Sequence, residues 1–206
     1  MNNNMGKWNR YIISGFVLLV CTVGGFMLHS SYSHKKVIDE ISMGLEGDII
    51  MGEPDAPGNV ILFFDYNCRY CKKFFNEVYP QLERDYIKRG KLKLTLRLIC
   101  SGNDENALLA NQTAICINKF GNFGKLHDLL MHRYDVIYSS QFNQLIESYI
   151  GANEFLGECI LNSNHNDVIR NIYQFQLLKQ KGTPTFVIGD EVVVGYRDYE
   201  YFKNKL

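Results

Sequence analysis

One stretch constrains this chain more than any other: Phe63-Phe64-Asp65-Tyr66-Asn67-Cys68-Arg69-Tyr70-Cys71-Lys72-Lys73-Phe74-Phe75. The apolar run from Val60 to Phe64 reads as a buried strand, and the residues after Asn67 read as a helix with Asn67 as its N-cap. A strand feeding straight into a helix puts Cys68 at the first helical turn and Cys71 one turn on, where the two sulfurs can meet. Unpaired N–H groups and the positive end of the helix dipole favour an anion at that position. The thiolate is the reactive form of cysteine, and such settings lower a thiol pKa from about 8.5 to roughly 3.5–7.5. The pair is therefore suited to thiol–disulfide exchange. Zinc, the other common use of Cys-x-x-Cys, needs two further ligands. The chain has no second Cys-x-x-Cys and no His within thirty residues of this one, so no metal is expected. A pair merely buried in a core does not call for Arg69 and Lys72 beside it.

The charge balance narrows the partners. Lys plus Arg and Asp plus Glu number 22 each, and Lys7 and Arg10 precede an uncharged run from Tyr11 to Leu28. A near-neutral remainder argues against nucleic acid. The run of 18 residues spans about 27 Å as a helix, with Trp8 and Tyr11 at its edge as at a membrane interface. It exceeds the 7–15-residue core of a signal peptide, so a retained anchor over 1–28 is favoured over a cleaved signal ending near Ser31-Tyr32-Ser33. Cys21 follows the bulky Val20 and reads as lipid-facing. Lys35 and Lys36 offset the charge asymmetry across the run. The N-terminus is nonetheless placed in the cytoplasm, because an oxidising cysteine pair is useful where disulfides persist.

Downstream, residues 29–47 read as a short linker, loosely helical at Val37, Ile38, Ile41 and Leu45. Asp48 to Met51 reads as a first strand before the turn-rich Gly52 to Gly58. Pro80 should kink or split the helix that holds the cysteines, for want of an N–H. Lys91 to Leu98 alternates strictly and reads as a strand with one solvated or lightly covered face, towards the outside of a sheet. From about residue 103 to 181 the pattern is helical, ending at Gly182. Thr185 to Ile188 and Val192 to Val194 flank Gly189-Asp190-Glu191 as a hairpin, and a short helix follows Asp198.

Three motifs in order carry a family resemblance over about residues 50 to 206. The cysteine stretch resembles the active site of the DsbA-like thiol:disulfide oxidoreductases of the thioredoxin superfamily. Gly182-Thr183-Pro184-Thr185-Phe186-Val187-Ile188-Gly189 resembles their cis-proline loop and following strand, and Lys119 to Asp128 resembles a stretch of their helical insertion. The resemblance implies an α/β thioredoxin fold over 48–206 with a helical domain inserted at about 103–181. It implies Cys68 as nucleophile, Cys71 as resolving thiol, and a cis bond at Thr183-Pro184 where substrate backbone pairs. Arg69 stands where proline is more common in the family and adds a cation expected to stabilise the Cys68 thiolate; Tyr70, Asn67 and Asp65 are further candidates for tuning it. The family's buried proton-relay acid, six residues before the first cysteine, is Leu62 here. Asp65 is the acid present, either assisting or capping the loop. The resemblance also implies a structural disulfide between Cys116 and Cys159. Cys100 is expected as a buried free thiol, and the five His residues as surface groups. No cofactor is expected. The implied partners are exported proteins bearing cysteines and a membrane redox partner, on the periplasmic side of the inner membrane. The oligomeric state stays open, as does oxidase, the favoured direction, against isomerase or a dedicated electron relay. A surface protein that only displays the fold is disfavoured by the intact cysteine pair and Thr-Pro loop.

Overall fold

The computed structural model describes residues 32–100, 102, 104–120, 123–162 and 164–206. The expected anchor lies outside them; among the described residues no helix is long and apolar enough to cross a membrane. Residues 32–42 form a helix, α1, and Ser42–Leu206 form one compact unit.

That unit is built on a five-stranded sheet ordered β1-β3-β2-β4-β5. β1 (Ile49–Met51) pairs antiparallel with β3 (Leu92–Leu98), and β3 pairs parallel with β2 (Gly58–Phe64) from Gly58↔Leu92 to Phe64↔Leu98. β4 (Thr185–Ile188) runs antiparallel to β2 and turns back into β5 (Glu191–Val194). The turn has two residues, and Gly189 at φ 56° supplies the left-handed backbone it needs. β2, at the centre, is apolar on both faces, as a strand covered on both sides must be.

α2 (Arg69–Glu77) follows β2 and lies on one face of the sheet. Its Phe74 ring sits 5.0 Å from Phe186 of β4 and 5.6 Å from Phe202, which lies on α9 (Tyr199–Lys203). The expected break at Pro80 is present: α2 stops at Glu77, and α3 (Tyr79–Leu82) begins with the proline in its first turn, where its missing N–H costs nothing. A π-turn over Glu83–Ile87 leads into β3.

The helical block contains α4 (Glu105–Phe120), α5 (Phe123–His132), α6 (Ser140–Ala152) and α7 (Glu154–Asn162). α8 (Asn166–Leu177) returns to the sheet. Cys116 of α4 and Cys159 of α7 are joined by a disulfide. α8 ends earlier than Gly182: Lys179 takes a left-handed φ of 54° after the cap at Leu178, closing the helix as a C-terminal cap does.

β3 departs from its expected setting. It lies inside the sheet, between β1 and β2, and its polar face is covered as well as its apolar one. Arg97, fully buried, donates to Asp48 at 2.7 and 3.0 Å, to Gln174 of α8 at 2.7 Å and to the Met43 carbonyl at 3.0 Å. Asn171 of α8 donates to the Leu98 carbonyl at 3.1 Å. Alternation in this strand reports a change from apolar to polar contacts, not a change from core to water. The pairing partner, Asp48, stands outside the strand and could not be recognised from periodicity.

Candidate active site

The site is assembled from three chain segments: the turn between β2 and α2, the loop before β4, and α5. The turn is closed by Asp65, whose carbonyl accepts from the Cys68 N–H at 3.0 Å and whose carboxylate accepts from the Asn67 N–H at 2.7 Å. Asn67 is thus an exposed turn residue, and the expected N-cap moves one position on. Cys68 itself caps α2, with extended backbone at φ −81° and ψ 117° and its sulfur accepting from the Cys71 N–H at 3.4 Å. The chain leaves β2 with one residue more of turn than an Asn cap allows, because Asp65 spends its side chain on the turn.

Both cysteines are thiols, Cys68 half-buried and Cys71 fully buried. Across from them the Thr183–Pro184 bond is cis. The Thr183 carbonyl accepts from the Cys68 thiol at 3.2 Å, bringing two segments 115 positions apart into contact. Hydrogen bonding from Cys71 is the largest influence on Cys68; with the Thr183 side chain and the N–H groups of Cys71 and Tyr70 it outweighs partial burial and lowers the Cys68 pKa to about 5. Burial, then the hydrogen bond to Cys68, drives Cys71 strongly the other way. The two thiols are therefore split into one anion and one held proton, the division that nucleophile and resolving group require.

Arg69 is exposed, its guanidinium 5.1 Å from the Tyr70 ring centre and donating to the Tyr70 hydroxyl at 3.4 Å. The pull on Cys68 comes from hydrogen bonds at the helix start, while Arg69 and Tyr70 form a paired exposed surface beside it. Asp65 is half-buried with its pKa raised, by burial first and then by the neighbouring Cys68. It lines the same cavity as Cys100, a buried thiol whose pKa burial raises to about 11. Among the described residues no cluster of three or more His, Cys, Asp or Glu could hold a metal.

His127 is the residue that sequence reasoning misplaced. It stands in α5 behind the site, packed among Phe64, Phe75, Phe123 and Tyr66 at ring separations of 4.9 to 6.1 Å. Its Nδ1 lies 2.9 Å from the hydroxyl of the fully buried Tyr66. Burial lowers His127 to about 4 and raises Tyr66, so this is a bond between neutral groups at neutral pH. The Phe123/His127 spacing of one helical turn, within a stretch already singled out, was the available signal.

A thioredoxin family model ("Thioredoxin") matches residues 45–206. Disulfide bond formation protein D of Bacillus subtilis is 22% identical over 173 residues, covering 79% of this chain and 77% of that protein. Among solved structures, a linker-deletion mutant of Proteus mirabilis ScsC superposes with a TM-score of 0.67 at 19% identity, covering 99% of this chain and 94% of the other. Wolbachia pipientis alpha-DsbA1 superposes with a TM-score of 0.63 at 20% identity, covering 80% and 92%.

Proposed function

Because the chain belongs to the thioredoxin family, as a DsbA-like thiol:disulfide oxidoreductase, we propose that it oxidises cysteine pairs in exported proteins through Cys68 and Cys71. The observation that carries this reading is the split pair: a half-exposed sulfur beside the Thr183 loop, drawn toward its anion by hydrogen bonding from Cys71, with a buried protonated thiol behind it. In the disulfide form, a substrate thiolate attacks Cys68 Sγ, the Cys68–Cys71 bond breaks, and the electron pair leaves on Cys71, which takes up a proton. A second substrate thiolate then attacks the substrate sulfur of the mixed disulfide. Cys68 departs as the better leaving group because its thiolate is the stabilised one. Two electrons have passed from the substrate thiols to the pair, which a membrane redox partner then reoxidises.

The direction follows from the same anion. At pH 7 a thiol moved from 9.0 to about 5 stabilises the dithiol form by at most about 2.7 kcal/mol, or roughly 60 mV for two electrons. Solvent at this half-exposed sulfur reduces the figure. The sign makes the disulfide form an oxidant. Thr183 before the proline resembles the isomerase and reductase branches and supports disulfide isomerisation as the second reading. It acts through substrate contacts, whereas the thiolate acts on the redox equilibrium itself.

Equilibration with glutathione buffers tests the direction. The expected potential lies above thioredoxin's approximate −270 mV. A value at or below thioredoxin's, with refolding of scrambled ribonuclease but poor oxidation of reduced peptide, reverses the order of the two readings. The periplasmic side of the inner membrane is the proposed location, with residues 11–28 as anchor, on the strength of their 18 uncharged residues. An anchored protein stays with membranes through alkaline carbonate extraction; release into the soluble fraction rejects the anchor.

A further inference from the structure

Every turnover of the pair moves a proton at Cys71. Its sulfur leaves as a thiolate when substrate is oxidised, and its thiol must lose a proton before the pair can close again. Yet Cys71 is fully buried, and burial makes that proton hard to remove. Leu62, six residues before Cys68, is a buried aliphatic side chain of β2 and cannot carry a proton. The groups that bear most on the Cys71 sulfur belong to Cys68, Thr183 and Asp65, the last through its N–H. Apart from Cys68, only Asp65 in that set has a side chain that titrates. Asp65 also reaches water, because it lines a solvent-open cavity of about 720 Å³ with Cys100, Glu105, Lys181 and Thr183.

We infer that Asp65 is the proton carrier for Cys71, joining the buried thiol to water in this cavity. The inference rests on the oxidoreductase reading and deepens it by one residue and one role. When the pair closes, the Cys71 thiol gives its proton to the Asp65 carboxylate through water at the cavity edge. The Cys71 thiolate attacks Cys68 Sγ, the mixed disulfide breaks, and its electron pair leaves on the departing thiolate. Asp65 then releases the proton to the cavity. When substrate opens the pair, the protonated carboxyl returns a proton to the Cys71 thiolate. The Asn67 N–H, donating at 2.7 Å, fixes the carboxylate on the turn just before Cys68. Burial is the largest influence on Asp65 and favours its protonated form; the Asn67 N–H and Lys72 oppose this, and the Cys68 anion reinforces it. A carboxyl drawn toward neutrality is a stronger base for a reluctant thiol than an ordinary exposed one. Cys100, after β3, and Tyr134 and Tyr138, in the turn after α5, also bear on it. Each is pushed to keep its own proton, so none titrates near neutrality.

The test mixes the reduced full-length protein with one equivalent of a chromogenic aromatic disulfide, whose thiolate leaves without needing a proton. Attack by Cys68 releases the first coloured thiolate, and closure by Cys71 releases the second. Asp65→Asn keeps an oxygen for the Asn67 N–H but cannot take up a proton. It should slow the second release about a hundredfold, the lower end of what a positioned general base contributes, and Asp65→Glu should recover most of the rate. In the wild type the second release should rise with pH through a carboxylate titration above the usual value of about 3.9 and then level. In Asp65→Asn it should rise throughout, as hydroxide takes the proton. A second release that is undiminished in Asp65→Asn, or slowed no more than the first, overturns the proton role and leaves the oxidoreductase reading standing. A slowed second release that keeps the wild-type pH profile does the same. A wild type that releases only the first thiolate cannot close its pair, which overturns the oxidoreductase reading and the proton role with it.

Discussion

Cys68 takes the position that Ser, Asp or Asn usually holds at a helix start, and this one substitution joins a structural role to a chemical one. The Cys71 thiol first, and then the N–H groups that a capping oxygen would satisfy, are here offered to a sulfur, and they bind its anion better than its thiol. The Thr183 carbonyl works the other way, since it accepts from the thiol and has nothing to offer the anion. A pH series of alkylation rates on the reduced protein should therefore return a Cys68 pKa near 5. A value near the free-thiol figure of about 8.5 contradicts the capping account. Cys71→Ser should accumulate a mixed disulfide with a disulfide-bearing substrate, seen as a covalent adduct on a non-reducing gel: Cys68 thiolate attacks the substrate disulfide, one substrate thiolate leaves, and the resolving sulfur that would release the other is gone. Cys68→Ser should form none, as Cys71 is fully buried.

Two cross-links hold the elements that present the site, and they differ in kind. The disulfide from α4 to α7 closes a loop of 43 residues, worth about 4 kcal/mol if chain entropy alone acts. Replacing both cysteines by Ser should lower urea stability by about 2–4 kcal/mol and leave the reaction of Cys68 with small disulfides intact. An unchanged midpoint would mean that the helical block is held by packing alone. The Arg97–Asp48 pair is polar and buried, with side chains 0% and 4% exposed. Breaking such a pair strands one charge and typically costs about 3–5 kcal/mol, whereas replacing both partners by apolar groups is often near neutral. Arg97→Met should accordingly destabilise strongly, and adding Asp48→Leu should recover much of the loss. A single substitution costing under about 1 kcal/mol would place the pair with weak surface ion pairs.

For the whole molecule, the lowered Cys68 pKa links redox state to stability. In the reduced protein this group ionises near 5 when folded and near 8.5 when unfolded. A depressed pKa stabilises the fold above the unfolded value, and the gain fades as pH falls through the folded one. The oxidised protein has no such group. Melting temperature of the reduced form, measured relative to the oxidised form, should rise steadily from pH 5 to about 8.5. Above that window the Cys68 contribution is constant, and Cys71, whose burial opposes ionisation, ionises only on unfolding and turns the rise into a fall. A flat difference across the window would show that Cys68 is not held as a thiolate. His127 acts on both redox forms alike, since its lowered pKa weakens the fold only as pH drops from about 6.5 toward 4.

Local pattern was enough to read β2, the helix after it, the break at Pro80 and the hairpin at Gly189, because each depends on periodicity or on backbone freedom within a few residues. The order of motifs was enough to suggest where Thr183 and Pro184 belong. What periodicity could not express was any partner remote in the chain. Arg97 sits in an alternating strand that reads as half-solvated, and its burial depends on Asp48 and on Gln174, separated from it by 49 and 77 positions. His127 reads as a surface residue and is largely covered because the rings of Phe64 in β2, Tyr66 in the turn after it and Phe75 in α2 converge on it. The N-cap passed from Asn67 to Cys68 through one hydrogen bond of Asp65. The sequence alone determined which residues could do thiol chemistry and which segments were strand or helix. Tertiary structure decided how far the two sulfurs separate in acidity, because that depends on burial and on the Thr183 loop, which meets the pair only after distant segments have come together.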